Sequence, residues 1–423
     1  MIKPRILILG AGFGGMFVAK ALEGYVKKGE IELTIVNRTN YFLFTPLLHE
    51  VATGGLNPRN VAEPLRQIFK GTGVRIAQGA VEHIDLAQKL VVTKTDGHLC
   101  ELHYDYLVIA TGAESNYYGI PGADKFTYPL KDLADAARIR NRIIDAFEQA
   151  ILMDKREDRV KALSFAVVGG GPTGVETAAE LSEFVSGMVK QYYYDTECTP
   201  AVTLIHTGKE LLEMFKPTLR EAAARRLMHN GVTLQLSSMV TSVTKDGLTL
   251  AGNMTIPATT VIWAAGVKSS IPHFEGKIPA LYAGRLAVDE FFRISDEDRV
   301  FALGDVASYI DTDNPNVGPK GPVPLPMLAQ VAESQAKMLA RNILASIDAK
   351  KLKPFHYHSK GSMVSVGQWF AIGEIFSFDL AGHFTWWLWR TVYLFKFASW
   401  QKRVEIAFEW TLDLFYPRDI TKL

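Results

Sequence analysis

Cysteine is scarce in this 423-residue sequence: it has two, Cys100 and Cys198, far apart and with no Cys-x-x-Cys pair. That argues against a disulfide framework, a thiolate metal site or a redox-active dithiol, and it suits a reducing compartment. Charge of one sign is lacking too. With 46 basic residues against 45 acidic ones, there is no overall positive field for nucleic acid. No basic stretch followed by an apolar run precedes the first strand pattern, so no cleaved leader and a cytoplasmic body are expected. No segment offers the roughly twenty uninterrupted apolar residues of a membrane span. What remains is a globular chain, 48% hydrophobic, long enough for two or three domains.

The most informative stretch is Phe165 to Glu183, FAVVGGGPTGVETAAELSE. An apolar strand pattern ends at Gly169, and Gly171 and Gly174 complete a G-x-G-x-x-G spacing around Pro172 and Thr173 before a helix-favouring segment. The first glycine permits a sharp turn, the second lets backbone approach a pyrophosphate, and the third lets helix and strand pack closely. Pro4 to Leu22 repeats the design, with Gly10, Gly12 and Gly15 following the strand Arg5 to Leu9. Two fingerprints a domain apart predict two bound dinucleotides, one delivering a hydride and the other, a flavin, receiving it.

Each fingerprint lacks an acid where one is usual. The second strand of the first unit, Ile31 to Val36, ends at Asn37, whose amide oxygen can still accept a hydrogen bond. Arg38 then faces either phosphate and adenine or solvent. In the unit spanning Asp154 to Lys268, the strand Ala201 to Ile205 ends at His206, which leaves NADH against NADPH open, with NADH favoured. Thr260 to Val267 closes that unit with small residues that suit a flat nicotinamide.

Other stretches fill in the plan. Tyr41 to Gly55, with Thr45 and Pro46, reads as an apolar loop that is neither regular helix nor strand, suited to lie under a flat ring; His49 within it reads as structural. Tyr106 to Gly112 and Phe301 to Ala307 are buried-strand patterns, the second presenting Asp305 either to a ribityl hydroxyl or as a helix cap. Asp311 to Pro326 reads as a loop, Met327 to Leu344 as a helix and Phe355 to Phe376 as strand-like. Phe384 to Trp400 is dense in aromatics, interrupted by Arg390 and Lys396 and free of acids. It is suited either to lie in a membrane interface or to pack as a helix pair on the core or on a second subunit.

From ILGAGFGG through YFLFTPLLHEVATGG, YLVIATG, VVGGGPTGVE, WAAGV, FALGDVA and AQVA to the aromatic tail, the whole chain resembles the type II NADH dehydrogenases, single-subunit NADH:quinone oxidoreductases. The resemblance implies an α/β fold of two Rossmann-like domains. A FAD domain (1–118 and 285–350) would be split by an NAD(P)H domain (154–268), with membrane-associating helices in 355–423. It implies FAD held by Gly10, Gly12, Phe13, Gly14, Gly15, Asn37, Arg38, Thr45, Leu47, Val81, Thr111, Gly112, Asp305, Ala329 and Gln330. NADH would be held by Gly169, Gly171, Pro172, Thr173, Gly174, Glu176, His206, Ala265 and Gly266. Glu176 would lie beside nicotinamide and flavin, and Gln330 on the quinone side, as the two catalytic positions, without a metal. The family's second glutamine, four residues on, is Ser334 here, with Gln335 next, so the polar contacts to quinone would come from Gln330, Ser334 and Gln335. A homodimer on the cytoplasmic face of the inner membrane, passing electrons without pumping protons, is the implied setting.

Whether Glu176 is charged stays open: a dry site raises its pKa, while its place early in a helix favours the anion. Flavin disulfide reductases and sulfide:quinone oxidoreductases need cysteines that are not placed here. A soluble ferredoxin- or rubredoxin-type reductase and a non-catalytic nucleotide-sensing scaffold are the other readings.

Overall fold

The computed structural model describes residues 3–194, 198–294, 297–311, 313, 316–318, 321–376, 378–397 and 399–423. The chain forms two compact units, Met1–Phe42 with Glu63–Glu114 and Val267–Ser359, and Leu43–Ala62 with Ser115–Gly266 and Lys360–Leu423. The segment Leu43–Ala62 and the C-terminal segment Lys360–Leu423 thus both belong to the second unit.

The first unit is organised by a five-stranded parallel sheet in the order Val300–Ala302, Tyr106–Ile109, β1 (Arg5–Leu9), β2 (Glu32–Asn37), Arg75–Gln78. The strands Arg5–Leu9 and Tyr106–Ile109 are apolar on both faces because helices and a second layer cover both sides of a parallel sheet. Leu7, Leu9, Leu107, Ile109 and Val300 form the buried centre. The helix α1 (Phe13–Lys27) leaves the turn after β1 and packs on the helix Ala329–Ile347.

The second unit repeats the plan. Its parallel sheet runs Tyr128–Pro129, Thr260–Trp263, β3 (Ser164–Val168), β4 (Ala201–Ile205), Val232–Gln235. The strand pairs match in register: Leu9 lies opposite Val36 in the first sheet and Val168 opposite Ile205 in the second. Asn37 therefore stands beside the first turn as His206 stands beside the second.

Two expectations need correction. Tyr41 to Gly55 is not irregular: it holds a strand Tyr41–Leu43, a 3-10 turn Thr45–Leu47 with Pro46 in it, and α2 (Leu48–Ala52). Five buried residues in a row, Leu48 to Ala52, obscured any helical period. The proline-rich stretch 311–326 contains a hairpin of Asn316–Gly318 with Gly321–Val323; residues 312, 314, 315, 319 and 320 of it lie outside the described set. The aromatic tail forms two helices, α4 (His383–Phe395) and α5 (Trp400–Leu412), following α3 (Pro172–Gln191) in the same unit. Before them, Ser362–Ser365, Ala371–Ile375 and Phe378–Gly382 form an antiparallel sheet.

Candidate functional site

The first glycine turn is shaped by close approach. Gly10 has φ +97°, and a Cβ there would lie 2.3 Å from the Ala110 carbonyl oxygen; at Gly15 a Cβ would lie 1.9 Å from the Gly10 carbonyl oxygen. At Gly12, which caps α1, a Cβ would meet nothing within 4 Å. The crowded glycines set the turn, and the uncrowded one keeps backbone N–H groups at the helix N-terminus accessible to an anion. Asn37 Oδ1 accepts from Ala11 N at 2.9 Å, and its Nδ2 donates to the Thr39 carbonyl, also at 2.9 Å. The amide thus serves the turn itself.

Around this turn, Thr111 Oγ1 donates to the Ser270 carbonyl at 2.6 Å, and Gly112 is left-handed at φ +72°. Asp305 sits in the 3-10 turn Gly304–Val306, and Arg285, buried nearby, feels its charge. The preceding N–H, of Gly304, donates to Gln335 Oε1 at 2.8 Å. Gln335 is buried and committed to that turn, whereas Gln330 and Ser334 are half-buried on the same helix, which begins at Ala329. Phe13 packs edge-on against Phe42. Gly14 lies against Leu303, Val81 is half-buried on the strand Ala80–Asp85, and Arg38 is exposed. These side chains and the open turn fit the adenosine and ribityl-phosphate end of FAD.

The second turn has the same geometry. Gly169 has φ +122°, and a Cβ on it would lie 2.3 Å from the Ala264 carbonyl oxygen; one on Gly174 would lie 1.8 Å from the Gly169 carbonyl oxygen; one on Gly171 would meet nothing within 4 Å. Pro172 opens α3, Thr173 follows it exposed, and the Thr173 carbonyl accepts from Thr177 Oγ1. Here the acceptor beside the turn is an imidazole: Gly170 N donates to His206 Nδ1 at 3.1 Å. Ala265 and Gly266 are half-buried beside Tyr118, whose hydroxyl donates to the Ala265 carbonyl at 3.3 Å.

Two residues beyond Gly174, Glu176 is 7% exposed. Its Oε1 accepts the Ser365 N–H at 3.2 Å, and its Oε2 lies 3.9 Å from His49 Nδ1. Burial lifts its carboxyl well above the usual range, outweighing that hydrogen bond, with Glu50 and Glu180 pushing the same way. Burial also depresses His49 to about 4. With His49 uncharged at neutral pH, their proximity is not an ion pair. His49 Nε2 is buried without a hydrogen-bond partner, which departs from the satisfied structural histidine expected. Thr45 is exposed and Leu47 buried at the start of the same segment.

Several residues that sequence reasoning missed surround this carboxyl. Glu50, pushed up to about 8 by burial, accepts from Trp410 Nε1 at 2.7 Å. Glu180 pairs with the buried Arg418, which holds it below the usual range, while Glu183 rises to about 7 and Asp413 to about 6. Arg390 stacks 3.8 Å over the Trp386 ring and 5.0 Å from that of Trp410. The one sequence-level hint was Glu176, Glu180 and Glu183 spaced along one face of α3.

The outer faces of α4 and α5 are apolar. Phe384, Trp387 and Phe395 line one, and Trp400, Val404, Phe408 and Leu412 the other, with Trp400 76% exposed. Among the described residues no helix is long and apolar enough to cross a membrane.

This architecture defines a class: residues 4–336 match the pyridine nucleotide-disulphide oxidoreductase family, and residues 359–419 match the NDH2 C-terminal domain. The chain is 33% identical to the type II NADH:quinone oxidoreductase Ndh of Mycobacterium tuberculosis, covering 98% of this chain and 89% of that protein. It is 31% identical to the mitochondrial internal alternative NAD(P)H-ubiquinone oxidoreductase A1 of Arabidopsis thaliana, covering 100% and 86%. The solved structure of NDH2 from Plasmodium falciparum in complex with NADH superposes with TM-score 0.90 over 100% of both chains at 24% identity, a likeness of fold. The chain belongs to the type II NADH:quinone oxidoreductase family.

Proposed function

We propose that this chain is an FAD-dependent NADH:quinone oxidoreductase that works at a membrane surface without pumping protons. The observation that carries the reading is the pair of equivalent glycine turns, joined in one chain to a family-specific C-terminal region. When bound, FAD supplies the chemistry, taking a hydride from NADH and returning two electrons to quinone. The protein's part is placement and proton handling.

The residues assigned to FAD are Gly10, Gly12 to Gly15, Asn37, Arg38, Thr45, Leu47, Val81, Thr111, Gly112, Asp305, Ala329 and Gln330, over domains 1–118 and 285–350. Those for NADH, in 154–268, are Gly169, Gly171 to Gly174, Glu176, His206, Ala265 and Gly266. The helix N-termini and crowded glycines support this reading. Reducing a quinone to a quinol with NADH takes one proton from the medium. Glu176, whose carboxyl burial lifts well above the usual range, is suited to hold that proton. Gln330 and Ser334 face quinone, while Gln335 shapes the Asp305 turn that supports the flavin. The aromatic faces of α4 and α5 lie in the lipid interface, where tryptophan is favoured. A homodimer on the cytoplasmic face of the inner membrane completes the reading.

The test is an anaerobic titration of the yellow holoenzyme with NADH, following flavin bleaching, and then addition of a soluble quinone. Bleaching that quinone reverses is expected; bleaching that quinone leaves unchanged overturns the quinone reading in favour of a protein acceptor. Vesicle cosedimentation of Trp400→Ser with Phe408→Ser tests the interface, with loss of binding expected and unchanged binding placing the membrane surface elsewhere.

A further inference from the structure

The two turns differ in one pairing. In the first unit, the residue after Gly10 is alanine and its N–H is accepted by a small amide, Asn37 Oδ1, at 2.9 Å. In the second, the residue after Gly169 is glycine, and a Cβ on Gly170 would lie 2.5 Å from His206 Cγ. The imidazole occupies the space an alanine methyl would need. Ring and glycine are matched, and the match places a titratable group where neighbouring folds carry an acid for the adenosine ribose.

The hydrogen bond fixes the tautomer. Because Nδ1 accepts the Gly170 N–H, the proton of the neutral ring sits on Nε2. A Cβ at Gly208 would lie 2.6 Å from His206 Nε2 and 2.5 Å from Glu213 Oε1, so the donor and that carboxylate border the same space. Burial holds the ring below its ordinary value, and Glu213 opposes that. From the packed strand Val232–Gln235 His206 meets neutral groups, its N–H donating to the Gln235 carbonyl, and its own carbonyl accepts the Ser238 N–H. Lys209 is exposed three residues on.

We propose that His206 makes the choice between NADH and NADPH depend on pH. The neutral ring closes the turn and offers Nε2–H to the ribose 2′-hydroxyl, while the protonated ring gives up the Gly170 hydrogen bond and attracts a 2′-phosphate. Above the titration of the ring, a 2′-phosphate meets a neutral donor and the Glu213 carboxylate, so NADPH is disfavoured. Below it, the imidazolium offsets that carboxylate, and the loosened turn weakens NADH. This inference rests on the reading of the second turn as the NADH site.

The experiment measures NAD+ and NADP+ binding to the FAD-loaded enzyme by calorimetry, between about pH 8 and about pH 5.5, the span in which imidazoles titrate. The preference for NAD+ over NADP+ is expected to narrow roughly tenfold on acidification, the scale of one added charge near a surface phosphate. His206→Asn keeps a turn acceptor, as Asn37 shows, and is expected to remove that narrowing apart from the phosphate's own titration. His206→Glu is expected to sharpen discrimination against NADP+ at the alkaline end. An equal pH slope in wild type and His206→Asn overturns the proposal while leaving the NADH site standing. If neither dinucleotide binds, both the proposal and the site fall.

Discussion

The two glycine turns share strand register, crowded first and third glycines and an uncrowded second one, yet they sit in different electrostatic settings. The first ends against a neutral amide, Asn37. The second ends against an imidazole, and the helix it opens carries Glu176, Glu180 and Glu183 into a buried cluster with Arg418. The same local geometry therefore serves a turn closed by a neutral amide in one unit and a turn closed by an imidazole, leading into a titrating cluster, in the other. This suits the division of labour proposed above: a resident cofactor needs steady holding, and a turning-over coenzyme needs a site that exchanges charge and protons.

The comparison breaks most sharply at its third glycines. Gly15→Ala is expected to yield colourless protein that fails to retain FAD, because its methyl would lie 1.9 Å from the Gly10 carbonyl oxygen. Gly174→Ala, with 1.8 Å to the Gly169 carbonyl oxygen, is expected to stay yellow and lose NADH affinity by about a hundredfold or more. Absorbance and NADH titration separate the two, and the opposite pattern would reverse the cofactor assignments.

Next in size is Arg418→Met. It leaves Glu180 buried without its cation, and breaking such a pair costs about 3–5 kcal/mol. The melting temperature should fall by roughly ten degrees. Calorimetry should assign the loss to the second unit, and a uniform loss would mean the cluster is not local to it. The same contacts make the C-terminal segment part of the nucleotide unit, since Arg140 also pairs with Asp419 and Asn57 N donates to Glu409. Truncation after Phe376 would damage that unit as well as remove the interface.

Glu176→Gln should keep FAD and slow turnover by about a hundredfold or more, the lower end of what a positioned acid contributes. Unchanged turnover across pH would remove it from proton handling. The smallest effect is on stability. Glu50 binds its proton more tightly folded than unfolded, with a value near 8 against an ordinary 4.5. Its contribution is complete below the ordinary value and is lost as pH rises through about 8. The melting temperature should therefore decline by a few degrees toward alkaline pH, and Glu50→Gln, which can still accept from Trp410, should flatten that decline. An identical slope in the variant would place the titration elsewhere.

Much of this was legible because it is local. The strands Arg5–Leu9 and Ala201–Ile205 stand where their apolar runs predict, and both turns announce themselves by glycine spacing. Tyr41 to Gly55 was misread because a fully buried short helix shows no periodicity. His49 was taken for a satisfied residue because nothing in its neighbours reveals that Nε2 lacks a partner. Gln335 was placed toward quinone beside Ser334, but one step along a helix turns a side chain by about 100°, and that turn brings it to Gly304.

The sequence by itself determined the two nucleotide-binding frames and the family, because glycine at a fixed spacing answers steric demands within a few residues of the turn. The tertiary structure alone decided the charge on Glu176 and the company it keeps. Its pKa depends on burial and on residues 49, 50 and 365, which are distant in the chain. Desolvation sums over everything packed nearby, so it exists only once the chain has closed around the group.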